Sequence, residues 1–282
     1  MQLPQSPRLV DEDLLNTNAT RSRSPLQFFL LVFALSIPFL VIGGVTGLQL
    51  LPGVPIAALA IVCPVTAAII LVYRENKIAG VTALLRRAFD YKRIRAKIWY
   101  APILLLMPGV SVLSYGVLRL MGVPLPAPQF AILETLGLLA GFFAGALAEE
   151  LGWSGYAIDP LQDRWGALQA SVLLGVVWAA WHILPLVQAH RPLAWIGWWC
   201  LGTIAMRVLM VWLYNNTGKS VFAVALFHAV SNLAWQSFPI HGSHWDPRVH
   251  GVIMALAAVV VIVVWGPRTL ARYRKVTVLK AG

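Results

Sequence analysis

The chain has 282 residues, of which 59% are hydrophobic and only 12% charged, and its mean hydropathy is +0.74. Soluble domains carry about 25% charged and 45–50% apolar residues, so a soluble globular domain is excluded and a multi-pass protein of the cell membrane is expected. The formal charge of +11 does not indicate nucleic acid. The basic residues sit between apolar runs, where they act as topology signals facing anionic membrane lipids.

Residues 1–25 form a polar tail containing Asp11, Glu12 and Asp13. The apolar run that follows is too long for the core of a signal peptide, so no cleavable signal is expected. Runs long enough to span a bilayer, about 20 residues each, fall at 26–48, 54–73, 98–121, 130–150, 168–187, 193–214, 220–238 and 250–266. The expected fold is therefore all-α, a polytopic membrane helix bundle of about eight transmembrane helices over residues 26–268, with a basic tail at 269–282. Pro38, Pro64, Pro108 and Pro185 predict kinks. Cys63 and Cys200 lie in apolar segments and suggest neither a disulfide framework nor a metal cluster.

Eight spans place both termini on one side. With the termini and the segments 74–97, 151–167 and 215–219 in the cytoplasm, that side holds 18 Lys and Arg. The opposite loops hold Arg191 and Arg248, and Arg119 and Arg207 lie within spans. The positive-inside rule thus predicts cytoplasmic termini. Residues 78–97 mix apolar positions at helical spacing with Arg86, Arg87, Lys92, Arg93 and Arg95, a pattern expected of a basic amphipathic helix on the inner leaflet. In the fourth span Gly137, Gly141 and Gly145 recur every four residues and predict a smooth stripe against a neighbouring helix.

Ionisable and amide side chains within the spans are few. Glu149 and Glu150 end the fourth, and a single charge at mid-bilayer costs about 2.5–3.5 kcal/mol on insertion scales, so two adjacent acids need water or partners. His182 lies in the fifth span. His228 and Asn232 in the seventh are four apart and face the same way, as do Trp178 and His182. A carboxylate can act as general base and a histidine can share the proton work, while a histidine and an asparagine one turn apart can donate to an oxyanion. No serine or cysteine carries the nucleophile pattern, which leaves activated water. Either histidine alone would serve equally as helix-packing glue, and a lone Asn232 more readily so, whereas the acid pair fits that role less well. Together they describe a polar site inside the membrane, either that of a hydrolase or that of a proton-coupled transporter, although no internal repeat of the kind common in transporters is visible.

Three segments resemble the CPBP family of intramembrane endopeptidases, which contains the CAAX prenyl proteases and bacteriocin-processing or immunity proteins. The family motifs are EExxxR, FxxxH and Hxxx(N/D), each on its own helix. Here Glu149 and Glu150 precede Ser154 at the arginine position, Trp178 precedes His182, and His228 precedes Asn232, in the family's order over about residues 130–235. The resemblance implies an eight-helix endopeptidase in which Glu149, assisted by His182, activates water, His228 and Asn232 stabilise the oxyanion, and Glu150 supports the site. It implies a peptide or protein tail entering a cavity from the cytoplasmic side, and no cofactor; zinc held by Glu149, His182 and His228 is the alternative. Two departures stand out, Trp178 for phenylalanine and Ser154 for arginine. Arg207 is the candidate replacement for the missing charge, and without one a non-catalytic immunity or scaffold relative is the rival reading. On straight helices rising 1.5 Å per residue, Glu149 and His182 would stand roughly 15 Å apart in height, unless the fourth helix continues past Glu150.

Overall fold

The structure, a computed structural model, describes residues 23–51, 54–129 and 131–271. Residues 1–22 of the polar tail and 272–282 of the basic tail lie outside the described residues. The fold is an antiparallel bundle of α1 (Pro25–Thr46), α2 (Cys63–Arg86), α3 (Tyr100–Leu120), α4 (Ile132–Gly152), α5 (Ile158–Trp165), α6 (Ala167–Gln188), α7 (Leu193–Asn216), α8 (Val221–Ser237) and α9 (Pro247–Trp265). A two-stranded hairpin, β1 (Gln49–Leu51) and β2 (Val54–Pro55), follows α1. Among the described residues seven helices are long and apolar enough to cross a membrane. The eighth expected span, α8, has 17 residues and is short of the usual 20. The outer face of α1 leaves Leu26, Leu30, Ile37, Val41 and Val45 exposed, a patch that a soluble monomer would not tolerate and lipid would. This is a multi-pass integral membrane protein.

Local chemistry sets the helix ends. Pro25 opens α1 behind Ser24, whose hydroxyl accepts from the backbone N–H of Gln27, and a left-handed Gly47 closes it. Pro64 sits in the first turn of α2, where its missing N–H is harmless, so it starts a helix and does not kink one. Pro38, Pro108 and Pro185 lie inside continuous helices. The backbone break in α2 is at Lys77, with φ 53° and ψ −147°.

Two segments expected as cytoplasmic loops are structural. Residues 151–165 are helical: α4 runs through a π-helical turn at Trp153–Ala157 into α5, giving one rod of 34 residues from Ile132 to Trp165. Its middle is core. Trp153 and Tyr156 are fully buried, Trp153 packs edge-on against Phe28 at 5.2 Å and Trp181 at 5.8 Å, and the Tyr156 hydroxyl donates to Glu75 at 2.6 Å. The large aromatics that read as a loop are the ones that bury the rod. Glu149 consequently lies near mid-rod, which removes the 15 Å gap to His182.

The second segment is 74–97. Helix α2 carries on to Arg86, and a 3₁₀ stretch covers Arg87–Arg93. This segment braces the bundle. Arg87 donates to the Gly155 carbonyl at 2.8 Å, the Tyr214 hydroxyl at 2.7 Å and the Lys219 carbonyl at 2.8 Å. Asp90 accepts from the Val221 and Phe222 amides at 3.2 and 3.0 Å, occupying the orphan donors at the start of α8.

The rod is pinned where α4 meets α2. A Cβ at Gly152 would stand 2.5 Å from the Pro64 carbonyl oxygen, a backbone atom that cannot rotate away. Gly152→Ala is expected to destabilise the protein by about 1–3 kcal/mol through overpacking, read as a lowered thermal midpoint in detergent. An unchanged midpoint would show that the two helices are free to part.

Candidate active site

Glu150 and Arg207 are both fully buried. The Arg207 fork grips the carboxylate with Nη1 on Oε2 at 2.8 Å and Nη2 on Oε1 at 3.1 Å. The Ser154 hydroxyl donates to Oε2 from one turn along the rod, and His228 Nδ1 lies 3.2 Å from Oε1. A cation from α7 therefore meets Glu150, and Ser154, where the resemblance expects an arginine, bonds the same carboxylate. Glu150 has four donors and faces away from any open space.

Glu149 is differently placed. The Trp178 indole N–H donates to its Oε2 at 2.8 Å, and this is its single hydrogen bond among the described residues. The same indole lies under the Arg207 guanidinium, 4.2 Å from ring centroid to Cζ, and packs edge-on against His182 at 5.4 Å and His228 at 5.2 Å. Trp178 thus touches both acids' networks and both histidines. Phenylalanine would retain the packing but has no N–H. The sequence held a signal for this role: indole, unlike a phenyl ring, carries one donor.

The two histidines have assigned tautomers. His182 Nδ1 lies 2.8 Å from the Trp178 carbonyl, which can only accept, so Nδ1 carries the proton and Nε2 the lone pair. His228 Nδ1 likewise gives its proton to Glu150, which Arg207 keeps supplied with positive charge. Orienting one imidazole nitrogen to fix the role of the other is a recurrent device of proton-handling sites.

A cavity of about 440 Å³ is lined by Glu149, Trp178, His182, His228 and Asn232 together with Ser231 and Met206, within the size range of ligand pockets. Glu150 and Arg207 do not line it. Asn232 faces the cavity and makes no hydrogen bond among the described residues. Gly137 and Gly141 also line this space, and a Cβ on either would meet nothing within 4 Å. Those two glycines of the expected packing stripe are therefore cavity wall; at Gly145 a Cβ would stand 3.2 Å from Ile61 Cδ1, and the closest helix contact is made further on, at Gly152.

Residues 131–234 match the family model described as type II CAAX prenyl endopeptidase Rce1-like. A protein named CAAX prenyl protease 2, from Methanococcus maripaludis, is 27% identical over 235 residues, covering 78% of this chain and 82% of that one. Both likenesses support the resemblance to the CPBP family that the three motifs carry. The matched region ends two residues past Asn232, so it takes in all three motif helices and Arg207.

Among the described residues no three His, Cys, Asp or Glu side chains converge closely enough to hold a metal ion. Glu149, His182 and His228 share a cavity. Cys63 is buried and Cys200 half-buried, both as free thiols.

Proposed function

We propose that the protein is a glutamate-type intramembrane endopeptidase that cleaves a peptide bond with water activated by Glu149. The observation that carries this reading is the division of labour between adjacent acids: Glu150 is saturated by Arg207, Ser154 and His228, whereas Glu149 keeps one oxygen unengaged at a cavity. An unengaged carboxylate oxygen is a base, and a fully paired one is scaffold.

In this reading Glu149 takes a proton from water and the resulting hydroxide attacks the scissile carbonyl. His182, with its lone pair on Nε2, accepts and passes on a proton towards the leaving amine. Asn232 donates its amide N–H to the developing oxyanion. His228 joins it only as imidazolium, because its Nδ1 proton is already committed to Glu150 and the neutral ring offers Nε2 as an acceptor. Removing one oxyanion donor typically lowers rate by about 100- to 1000-fold. The relative's name points to CAAX-type carboxyl-terminal peptides as the substrate class to test first.

The test is cleavage of a peptide library in detergent by the purified protein and by its Glu149→Ala and His228→Ala forms. Loss of cleavage in both variants is expected, and equal cleavage by all three would overturn the mechanism. A strong chelator is expected to leave activity intact; loss that added zinc restores would revive the metal alternative.

Trp178→Phe gives a finer check. A hydrogen bond to a charged group contributes about 1.5–3 kcal/mol, and about 1.4 kcal/mol is tenfold in rate. The variant is expected to fold normally and to lose roughly ten- to hundredfold in kcat with KM little changed. A wild-type kcat would mean that the indole N–H does not position Glu149.

A further inference from the structure

The cavity occupies one half of the bundle only. Its walls are Pro185 and Leu186 in the last turns of α6, Trp195 in the first turn of α7, Trp235 near the end of α8 and Pro247 at the start of α9. Arg191, in the connection between α6 and α7, reaches its rim. All of these belong to one end of the antiparallel bundle. Backbone and side-chain bonds tie that end together: Gln188 Nε2 donates to the Leu40 carbonyl at 2.7 Å, and the Gln129 amide to Pro239 at 3.0 Å.

The opposite end is built from the basic segments. Arg23 and Arg87 both reach the Gly155 carbonyl, at 3.2 and 2.8 Å. Arg93 reaches Gly218 at 3.2 Å, and the Ala167 amide donates to the Arg268 carbonyl at 2.9 Å. No residue of this end lines the cavity. Of the 16 Lys and Arg among the described residues, 12 lie in the segments that converge here. The cavity end has Arg191 and Arg248 in its connections, and Arg119, which bonds the Leu125 carbonyl at 3.0 Å in the turn after α3, joins them there.

Cytoplasmic connections carry the excess of Lys and Arg. The expectation that substrate enters from the cytoplasmic side therefore conflicts with the expectation that the basic ends are cytoplasmic, since the cavity is at the other end. Resting on the protease reading above, we propose that the active-site cavity faces the extracytoplasmic side, so that its substrates are peptides presented at the outer surface or the outer leaflet. The floor of the cavity, with Glu149 and His228, then lies at mid-membrane, beneath a mouth whose rim carries Trp195, Trp198 and Trp245. Tryptophan is enriched at membrane–water interfaces, and this rim is where an outer interface would fall.

Orientation can be read without any catalysis. In a Cys63→Ala, Cys200→Ala background, His190→Cys marks the exposed connection at the cavity end and Lys92→Cys an exposed position at the basic end. In intact cells a membrane-impermeant maleimide is expected to label the His190→Cys protein, while Lys92→Cys protein is labelled only after permeabilisation. The reverse pattern, or equal labelling of both in intact cells, overturns the proposal. A second arm uses a membrane-impermeant quenched peptide that the detergent-solubilised enzyme cleaves. Cleavage is expected in right-side-out vesicles and lost in inverted ones until detergent is added. Failure of labelling to follow this pattern refutes the orientation and leaves the chemistry standing. Activity surviving Glu149→Ala in detergent refutes the chemistry and leaves the orientation standing.

Discussion

Replacing Arg207 by methionine is expected to lower stability by about 3–5 kcal/mol, because removing one partner leaves the other as an uncompensated charge in the interior. Glu150 is 0% exposed and bonded by both Nη atoms of the fork, so no water is at hand to replace them. The readout is the thermal midpoint in detergent, with activity falling in parallel because His228 is oriented on the same carboxylate. The informative variant is the double one. Ser154 already bonds Glu150, so an arginine at 154 starts from contact distance along the rod. Ser154→Arg alone is expected to destabilise, since it brings a second cation to an acid that has one. Combined with Arg207→Met it is expected to recover part of the lost stability, giving a coupling energy opposite in sign to simple additivity. If the double variant is no better than Arg207→Met, then Arg207 is held by its stacking on Trp178 and its charge is not standing in for the motif arginine.

How this was legible in the sequence differs from residue to residue. The helices were, because a membrane helix needs an apolar run of fixed length and nothing else competes with that signal. Arg207 could be suspected as a cation deep within a span, unlike Arg119 near a span end, since a charge in hydrocarbon demands a partner, but the sequence could not say which acid it reached. The rod beyond Glu150 was permitted by the sequence but not required by it, because an apolar run of about 20 residues is already complete at the two acids. Its burial comes from Phe28, Trp181 and Glu75 on other helices. Gly137 and Gly141 misled for the related reason that a small residue records an absence of bulk. Whether a neighbouring helix or an open cavity uses that absence is decided by tertiary structure. The same limit applies to the side of entry: charge counting orients the helices, and only the packed bundle shows at which end the empty space lies.

Glu149→Gln and Glu150→Gln, adjacent and chemically identical changes, are expected to fail in opposite ways. The first removes the base and leaves an amide that fits the same space. Its one protein hydrogen bond, from Trp178, can still be accepted by the amide oxygen, so the thermal midpoint should stay near wild type. Activity should fall by about 100- to 10,000-fold, the range that general-base catalysis supplies. The second removes the charge that Arg207 and His228 are arranged around. Neutral glutamine cannot pair with the fork, and the buried guanidinium becomes the uncompensated ion, so the midpoint should fall by an amount comparable to Arg207→Met. Whatever protein remains folded should retain part of its activity, because Glu149 still faces the cavity. Measuring midpoint and single-turnover rate on the same preparations separates the two. A Glu150→Gln protein that melts normally but is inactive would move the base to Glu150, and an unstable Glu149→Gln protein would make Glu149 part of the scaffold. Each of those results contradicts the assignment drawn from four donors on one acid and one on its neighbour.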